Sequence, residues 1–545
     1  MPATASAAAN AFRGAGLIGQ MVRMLPSGRI RNNQTSAWQL LFRGCLALVL
    51  ATFAASAVRA QEAAPKNSIA VAVRSAVNSK LRPFYGPRGY WPLWVHDGAV
   101  GPEAARLIEM MENADLDGLD PKDYDLDDLR KVIERSKDGS PKALAKAEVE
   151  LSQTFAAYVR DMRRAPSVKI TYLDRELVPE RLTEATVLRV AALAPSFSDY
   201  IDNAGWMSPI YMRLRNALAE YHDEWDSLPD VTISDGPVLK SGVKGDRVRL
   251  LRQRLGLPEG PAFDKAVATR VKSFQADHGL KADGIAGAMT IAAINRGSSH
   301  YEQLIRLNLE RARVLPGPMT RHIVVDAAAA RLWLYKDGEQ QGTMRVIVGQ
   351  PTQQTPMLAG MMRYATLNPY WNVPSDLVQN RIAPKVLDGQ SFKGMNYEAL
   401  SDWTANATIL DPKKIDWKAV AAGQDLRVRQ LPGRSNAMGR MKFMFPNDLG
   451  IYLHDTPDKA LFDKPGRRFS SGCVRLEDAP ALGKWLFGKA LVAESDAPEQ
   501  HIPLPEPVPV YLTYLTVAPT ETNIAFIDDA YGRDEAPTAQ FAARR

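Results

Sequence analysis

Cysteine is almost missing from this chain: its 545 residues contain two, Cys45 and Cys473. That excludes the disulfide framework that staples small exported domains. A basic surface is missing as well. The formal charge of +7 includes Arg13, Arg23, Arg29, Arg31, Arg43 and Arg59, all in a first stretch of sixty residues without Lys, Asp or Glu, which leaves about +1 for residues 61–545. Nucleic-acid binding through a charged face therefore has no support. Long apolar runs are missing apart from "GCLALVLATFAASAV", from Gly44 to Val58. This run is shorter than the roughly 20 residues needed to cross a bilayer. With arginines before it and small residues at "VRAQ" after it, residues 1–60 read as an export signal cleaved after Ala60. Cys45 lies inside the run and leaves with it, and the arginine two positions before it does not suit a lipoprotein signal. The expected mature chain is exported, soluble or peripheral, and has one cysteine.

What is present divides along the chain, which is too long for a single core. Residues 61–235 carry helical spacing: Leu107, Met110 and Met111 fall on one face, as do Val149, Phe155, Ala156 and Val159. This predicts a helical scaffold. Its acidic stretch "DLDGLDPKDYDLDD" has its glycine too early for an EF-hand loop and no closing glutamate, so a solvated turn is expected. In residues 238–296, three short amphipathic segments are marked by Val248, Leu251 and Leu255, by Val267, Val271 and Phe274, and by the turn "ADGIAG" before Ala288. The strings "VKGDRVRLLRQRLG" and "FDKAVATRVKSFQADHGLKADGIAGAMTIAAIN" resemble the small peptidoglycan-binding domain that accompanies cell-wall enzymes. His278 there has no partners at metal-ligand spacing and reads as a packing or surface residue, so no metal and no cofactor are expected.

From residue 320 to 516 the pattern turns to β. "HIVVDAAAARLWLYKDGEQQGTMRVIVG" alternates about a turn at Asp337 and Gly338, and further strands are expected at "RYATLNPYWNVP", "KFMFPN", "GIYLHD" and "VPVYLTYLTV". Residues 381–427 inside this region are too long for a plain loop and are expected to form an inserted cap. Residues 517–545 are polar and read as a flexible tail. The fold class is multidomain α+β.

An exposed lone thiol in an oxidising compartment is a liability unless its chemistry is used, which makes Cys473, in "RFSSGCVRLED", the candidate nucleophile. It attacks as thiolate and needs a base or a cationic setting to fall from a pKa of about 8.5. His454, nineteen positions earlier in "GIYLHDTP", is the candidate base, and strand alternation puts Tyr452 on the same face. The turn of Ser470, Ser471 and Gly472 lets backbone amides converge on a forming oxyanion. Arg475 emerges on the same face as Cys473 in an extended strand and suits a carboxylate. Singly, each has a plainer explanation: a core cysteine, a strand histidine, an arginine paired with Glu477 or Asp478. Together, behind an export signal and beside a wall-binding module, they point to one site.

The strings "NPYWNVP", "RQLPGRSNAMGRMKFMFPN" and "IYLHDTPDKALFDKPGRRFSSGCVRLEDA" resemble the L,D-transpeptidase family, in particular its large Gram-negative members with a scaffold and a capped catalytic domain. Where the family commonly has a histidine before the Gly-Cys pair, this chain has Ser471, as the large subfamily also does. The resemblance implies that His454 takes the Cys473 proton, with the backbone carbonyl of Asp455 or its neighbour orienting the ring. Amides of Cys473 and of Gly472 or Ser471 then hold the oxyanion. The acyl donor is a peptidoglycan tetrapeptide stem that loses its terminal D-alanine, and a second stem is the acceptor in a 3→3 cross-link. Tyr452, Trp371, Asn372, Ser470 and Arg475 are the expected groove residues. An L,D-carboxypeptidase, in which water resolves the same acyl-enzyme, and a non-catalytic wall-binding scaffold remain as alternatives. A papain-like arrangement is disfavoured because the histidine precedes the cysteine.

Overall fold

Several helices in the N-terminal half begin at a capping side chain. The long scaffold helix α1 (Pro141–Met162) follows Ser140, whose Oγ accepts the Ala143 N–H at 3.3 Å. Helix α2 (Pro209–Tyr221) repeats the Ser-Pro start, with Ser208 Oγ accepting the Tyr211 N–H at 3.1 Å. The apolar face of α1 buries Leu151, Phe155, Tyr158, Val159 and Met162. Phe155 sits between Trp94 and Trp206 in edge-on contacts at 5.5 and 5.3 Å, an arrangement that favours both ring quadrupoles. This computed structural model describes residues 68–166, 168–404, 406–520 and 524–535. The expected export signal lies outside the described residues. No helix among them is long and apolar enough to cross a membrane.

The acidic stretch is a solvated turn for most of its length, with Asp115, Asp120, Asp123, Asp125, Asp127 and Asp128 exposed, but Asp117 is an exception. It is buried, and its carboxylate takes the Tyr211 hydroxyl at 2.7 Å and Arg215 Nε at 2.9 Å. That residue is an internal anchor between scaffold elements, because a buried carboxylate is retained only where donors replace its water.

The small module follows as α3 (Asp246–Arg254), α4 (Lys265–Asp277) and α5 (Ala288–Asn295). Asp264 caps α4 through the Val267 N–H at 3.0 Å. His278 is its packing residue: the ring is buried, stacked on Phe274 at 3.8 Å, and its Nδ1 faces the Phe274 carbonyl at 2.7 Å. Helix α6 (Ser298–Ala312) leads into the β region.

The main sheet closes on itself. Its strands are β2 (His322–Asp326), β3 (Arg331–Lys336), β4 (Glu339–Gly349), β5 (Leu358–Leu367), β10 (Met441–Met444), β11 (Leu453–His454), β13 (Val474–Leu476) and β14 (Gln500–Thr513). They run in the order β10-β11-β13-β4-β3-β2-β14-β5, and β5 returns to pair with β10. Closure removes exposed edges and encloses a core of Val325, Leu332, Val346, Phe443, Leu453, Val474 and Leu512. The scaffold adds a short strand, β1 (Thr171–Tyr172), parallel to β5, so helical and β regions share one sheet.

The insertion is larger than the 381–427 expected. Strands β6 (Trp371–Val373), β7 (Tyr397–Leu400), β8 (Ile409–Leu410) and β9 (Arg427–Gln430) form a separate sheet in the order β8-β7-β9-β6, over a small core of Val378, Ile382, Phe392, Trp417 and Val428. Buried Asn436 ties its two stalks together, donating to the carbonyls of Pro369, Gln430 and Leu431 at 3.1, 3.2 and 2.9 Å.

Within the expected tail 517–545, the described residues 517–520 and 524–535 are ordered onto the fold, and the others lie outside the described residues. Strands β15 (Val517–Pro519) and β16 (Ile524–Phe526) pair antiparallel, and Tyr531 is buried against Tyr514 at 4.8 Å. Polar composition misled here because a few aromatic anchors suffice to hold a short segment onto an existing surface.

Candidate active site

Parallel pairing of β11 with β13 sets Leu453 opposite Val474 and His454 opposite Arg475. Leu453 and Val474 face the closed core. By alternation Tyr452, His454, Cys473 and Arg475 share the other face, with His454 diagonal to Cys473. The Val474 N–H donates to the Tyr452 carbonyl at 3.1 Å, continuing the register back to the cysteine. The rings of Tyr452 and His454 lie 5.7 Å apart.

His454 is buried, and its Nδ1 lies 2.5 Å from the Asp455 carbonyl. A carbonyl only accepts, so Nδ1 carries the proton and Nε2 keeps the lone pair. Burial first, and then the positive charge of Arg475, hold the imidazole pKa down to about 3, so the ring is neutral over the ordinary pH range. Asp455 is itself clamped: Lys459 Nζ donates to its Oδ1 at 2.8 Å and the Arg440 N–H to its Oδ2 at 3.0 Å. Gly439, at φ +61°, leaves no room for a Cβ beside that carboxylate.

Cys473 is half-buried and its Sγ lies 3.3 Å from the Gly450 carbonyl. Burial pushes the thiol up to about 11, and hydrogen bonding from Tyr452 with the charge of Arg475 pulls the other way. Burial thus favours the neutral form of both the thiol and the imidazole. Burial, and then Cys473, also raises the pKa of Tyr452, so its hydroxyl keeps its proton.

The turn before the cysteine divides its amides. Gly472 sits at φ +112°, a conformation that glycine adopts without strain. Its N–H is engaged by Ser470 Oγ at 3.2 Å, and the same hydroxyl donates to the Cys473 carbonyl at 2.6 Å. Ser470 is thus a buried brace inside the loop rather than a groove residue. Among the described residues, the N–H groups of Ser471 and Cys473 have no protein acceptor and are the amides open to an oxyanion, while that of Gly472 is not.

Arg475 is half-buried with a single distant carboxylate, Asp458 at 3.9 Å, and its Nε has no partner. The acids that could have neutralised it are used elsewhere: Glu477 Oε1 accepts Arg345 Nε at 2.9 Å, and Asp478 caps α7 (Ala479–Phe487) through the Ala481 N–H at 2.9 Å. Arg381, from the insertion, adds positive charge beside it. Trp371 and Asn372 are not brought to the cysteine: Trp371 packs on the insertion's own core, and Asn372 is an exposed residue of β6 paired with Arg429. Sequence reasoning missed Thr355, whose buried Oγ1 donates to the Gly472 carbonyl at 2.8 Å, together with Lys459 and Arg381. No local pattern marks them. Among the described residues no group of three or more His, Cys, Asp or Glu side chains could hold a metal ion.

Residues 320–498 match the family described as the L,D-transpeptidase catalytic domain. Over these residues the chain is similar to that catalytic domain. Residues 79–218 match the scaffold domain, and residues 244–294 a "Putative peptidoglycan binding domain", so three matched segments follow one another in one chain. A "Putative L,D-transpeptidase" of Haemophilus influenzae is 33% identical over 244 residues, 43% of this chain and 49% of the relative. The chain thus spans about half the length of the curated relative it matches. An L,D-transpeptidase from Mycobacterium smegmatis is 15% identical, over 35% of this chain and 58% of that one, with a TM-score of 0.18. An L,D-transpeptidase from Xylanimonas cellulosilytica is also 15% identical, over 51% and 98%, with a TM-score of 0.15. Likenesses this low do not bear on the assignment, which rests on the sequence matches.

Proposed function

We propose that this chain is a periplasmic transpeptidase that forms 3→3 cross-links in peptidoglycan through a thioester on Cys473. The observation that supports the reading is the placement of His454 on β11 diagonal to Cys473, the residue just before the parallel strand β13, with the imidazole lone pair on Nε2. Rotation of the thiol away from the Gly450 carbonyl turns the S–H toward His454. Attack of sulfur on the carbonyl carbon of the third stem residue proceeds as the proton passes to Nε2, because neither group is charged at rest. The carbonyl oxygen takes the negative charge and is held by the Cys473 and Ser471 amides. Collapse breaks the peptide bond, the imidazolium returns its proton to the departing D-alanine amine, and a thioester remains. A side-chain amine of a second stem then attacks the thioester, His454 takes one of its protons, and sulfur leaves as the thiol. Arg475 and Arg381 suit the carboxylates that peptide stems carry.

The test is incubation with purified disaccharide-tetrapeptide and mass spectrometry of protein and products. The expected outcome is a cross-linked dimer with release of D-alanine, and an acyl or carbapenem adduct confined to Cys473. Tripeptide monomer as the sole product would replace the transpeptidase with a carboxypeptidase. Absence of any adduct would leave a wall-binding scaffold.

A further inference from the structure

The segment after the matched catalytic domain is built into the floor of the nucleophile loop. Tyr531, buried and stacked on Tyr514, donates its hydroxyl to the Gly349 carbonyl at 2.5 Å. Arg533 reaches the same loop, with Nη2 on Gln354 Oε1 at 2.7 Å and on the Thr355 carbonyl at 3.1 Å. Gln354 returns the contact through Nε2 to the Tyr531 carbonyl at 3.0 Å. The segment is anchored in turn by Arg311 on α6, which pairs with Asp534 at 2.7 Å and donates to the Arg533 carbonyl at 2.7 Å.

Residues 349–355 have one neighbour of chemical consequence, the turn that carries Cys473. The Gln350 N–H donates to the Ser470 carbonyl at 2.9 Å, and Thr355 Oγ1 accepts the Gly349 N–H at 2.9 Å while donating to the Gly472 carbonyl at 2.8 Å. The Gly472 carbonyl belongs to the same peptide unit as the Cys473 N–H. Fixing one direction fixes the other, since the peptide is planar. A rotation of that unit would swing the open amide away from an oxyanion and shift the sulfur.

We propose that Ile524–Glu535 is a positioning strap for the nucleophile loop, with Tyr531 and Arg533 as positioning residues that act through Gly349, Gln354 and Thr355 on the Gly472–Cys473 peptide. At its other end the strap touches the small helical module: Phe526 stacks on His278 at 5.5 Å and meets Tyr301 edge-on at 4.8 Å. The strap therefore connects the wall-binding-like module to the peptide unit that aims the oxyanion amide.

The turnover half of this inference rests on the proposed transpeptidase reading, and its test includes a readout that does not. In the full chain, Tyr531→Phe keeps the ring stack and removes the hydroxyl. Its kcat for D-alanine release is expected to fall about tenfold with KM held within about twofold, since loss of aim at the reacting atoms costs rate rather than binding. Alkylation of Cys473 by iodoacetamide at pH 8, which needs no substrate, is expected to quicken about threefold or more, because a loosened loop admits water and relaxes the raised thiol pKa. The melting curve, followed by circular dichroism, should stay cooperative, and if Tyr531→Phe does not fold, Arg533→Met carries the same expectations. Unchanged alkylation in a folded variant overturns the strap, and so does a retained kcat. A wild type without turnover but with faster alkylation in the variant would sink the transpeptidase reading and keep the strap.

Discussion

The small helical module buries His278 and the β domain buries His322 and His454, and the rings of His278 and His454 are fixed alike. His278 has the Phe274 carbonyl at 2.7 Å from Nδ1, His454 the Asp455 carbonyl at 2.5 Å, and burial holds both pKa values down to about 3. They differ in what surrounds the rest of the ring. His278 is enclosed by Phe274, Tyr301 and Phe526, and its Nε2 faces the Tyr221 hydroxyl at 3.4 Å. His454 shares its face with Tyr452, Cys473 and Arg475. Burial and a fixed tautomer therefore do not distinguish the two rings; the neighbour of the free nitrogen does, a tyrosine hydroxyl for His278 and, in the function proposed above, the Cys473 thiol for His454.

Substitutions separate the two sites. Cys473→Ala should remove turnover by a factor on the order of 10⁴ or more and abolish the covalent adduct, read by D-alanine release and intact mass. Next in size, His454→Ala should cut kcat by about 10²–10⁴-fold in a folded protein. His278→Leu should leave kcat within a factor of about two while lowering the melting temperature. A collapse of activity in a folded His278→Leu protein would erase the contrast.

Arg475→Lys should raise KM for a tetrapeptide stem by about tenfold with a smaller change in kcat, because lysine keeps the charge but loses the planar fork. The smallest effects are expected from pH. Both histidines, and His322 at about 4, have folded pKa values below the ordinary histidine value. The unfolded chain thus takes up these protons first. Their stabilising contribution is whole above about pH 6.5 and is lost as pH falls toward 3, by up to about 1.4 kcal/mol per pH unit for each ring. His278→Leu should therefore show a shallower acid slope in denaturant melts between pH 6 and 4. Activity, with the imidazole held to about 3 and the thiol to about 11, should be nearly flat from pH 6 to 9 in kcat/KM. A bell centred near neutrality would indicate a preformed ion pair instead.

Much of this was legible in local sequence. Apolar residues at helical spacing marked the helices, and period-two alternation marked the strands. It also grouped Tyr452 with His454 and Arg475 with Cys473. Where the reading failed, the deciding partner lay far along the chain. Ser470 looked like a groove residue until the loop folded its hydroxyl back onto Gly472 and Cys473. Trp371 looked like a groove aromatic because nothing local says that β6 leaves the closed sheet for a second one. Asp117 looked solvated because Tyr211 and Arg215 are about a hundred positions away.

Amino-acid order alone determined the elements, their apolar faces, and the lone sulfur and strand histidine proposed to act together, because rise, periodicity and residue type act over a few neighbours. Only the tertiary structure decided that Ser471 and Cys473, and not Gly472, keep open amides, that burial favours the neutral thiol and imidazole, and that a polar C-terminal segment packs under the loop before Cys473. Those outcomes depend on strand register, burial and hydrogen bonds across as many as 223 positions, as from Arg311 to Asp534. No local pattern encodes such distances, since the solvent and the partner that each group will meet exist only once the sheet has closed.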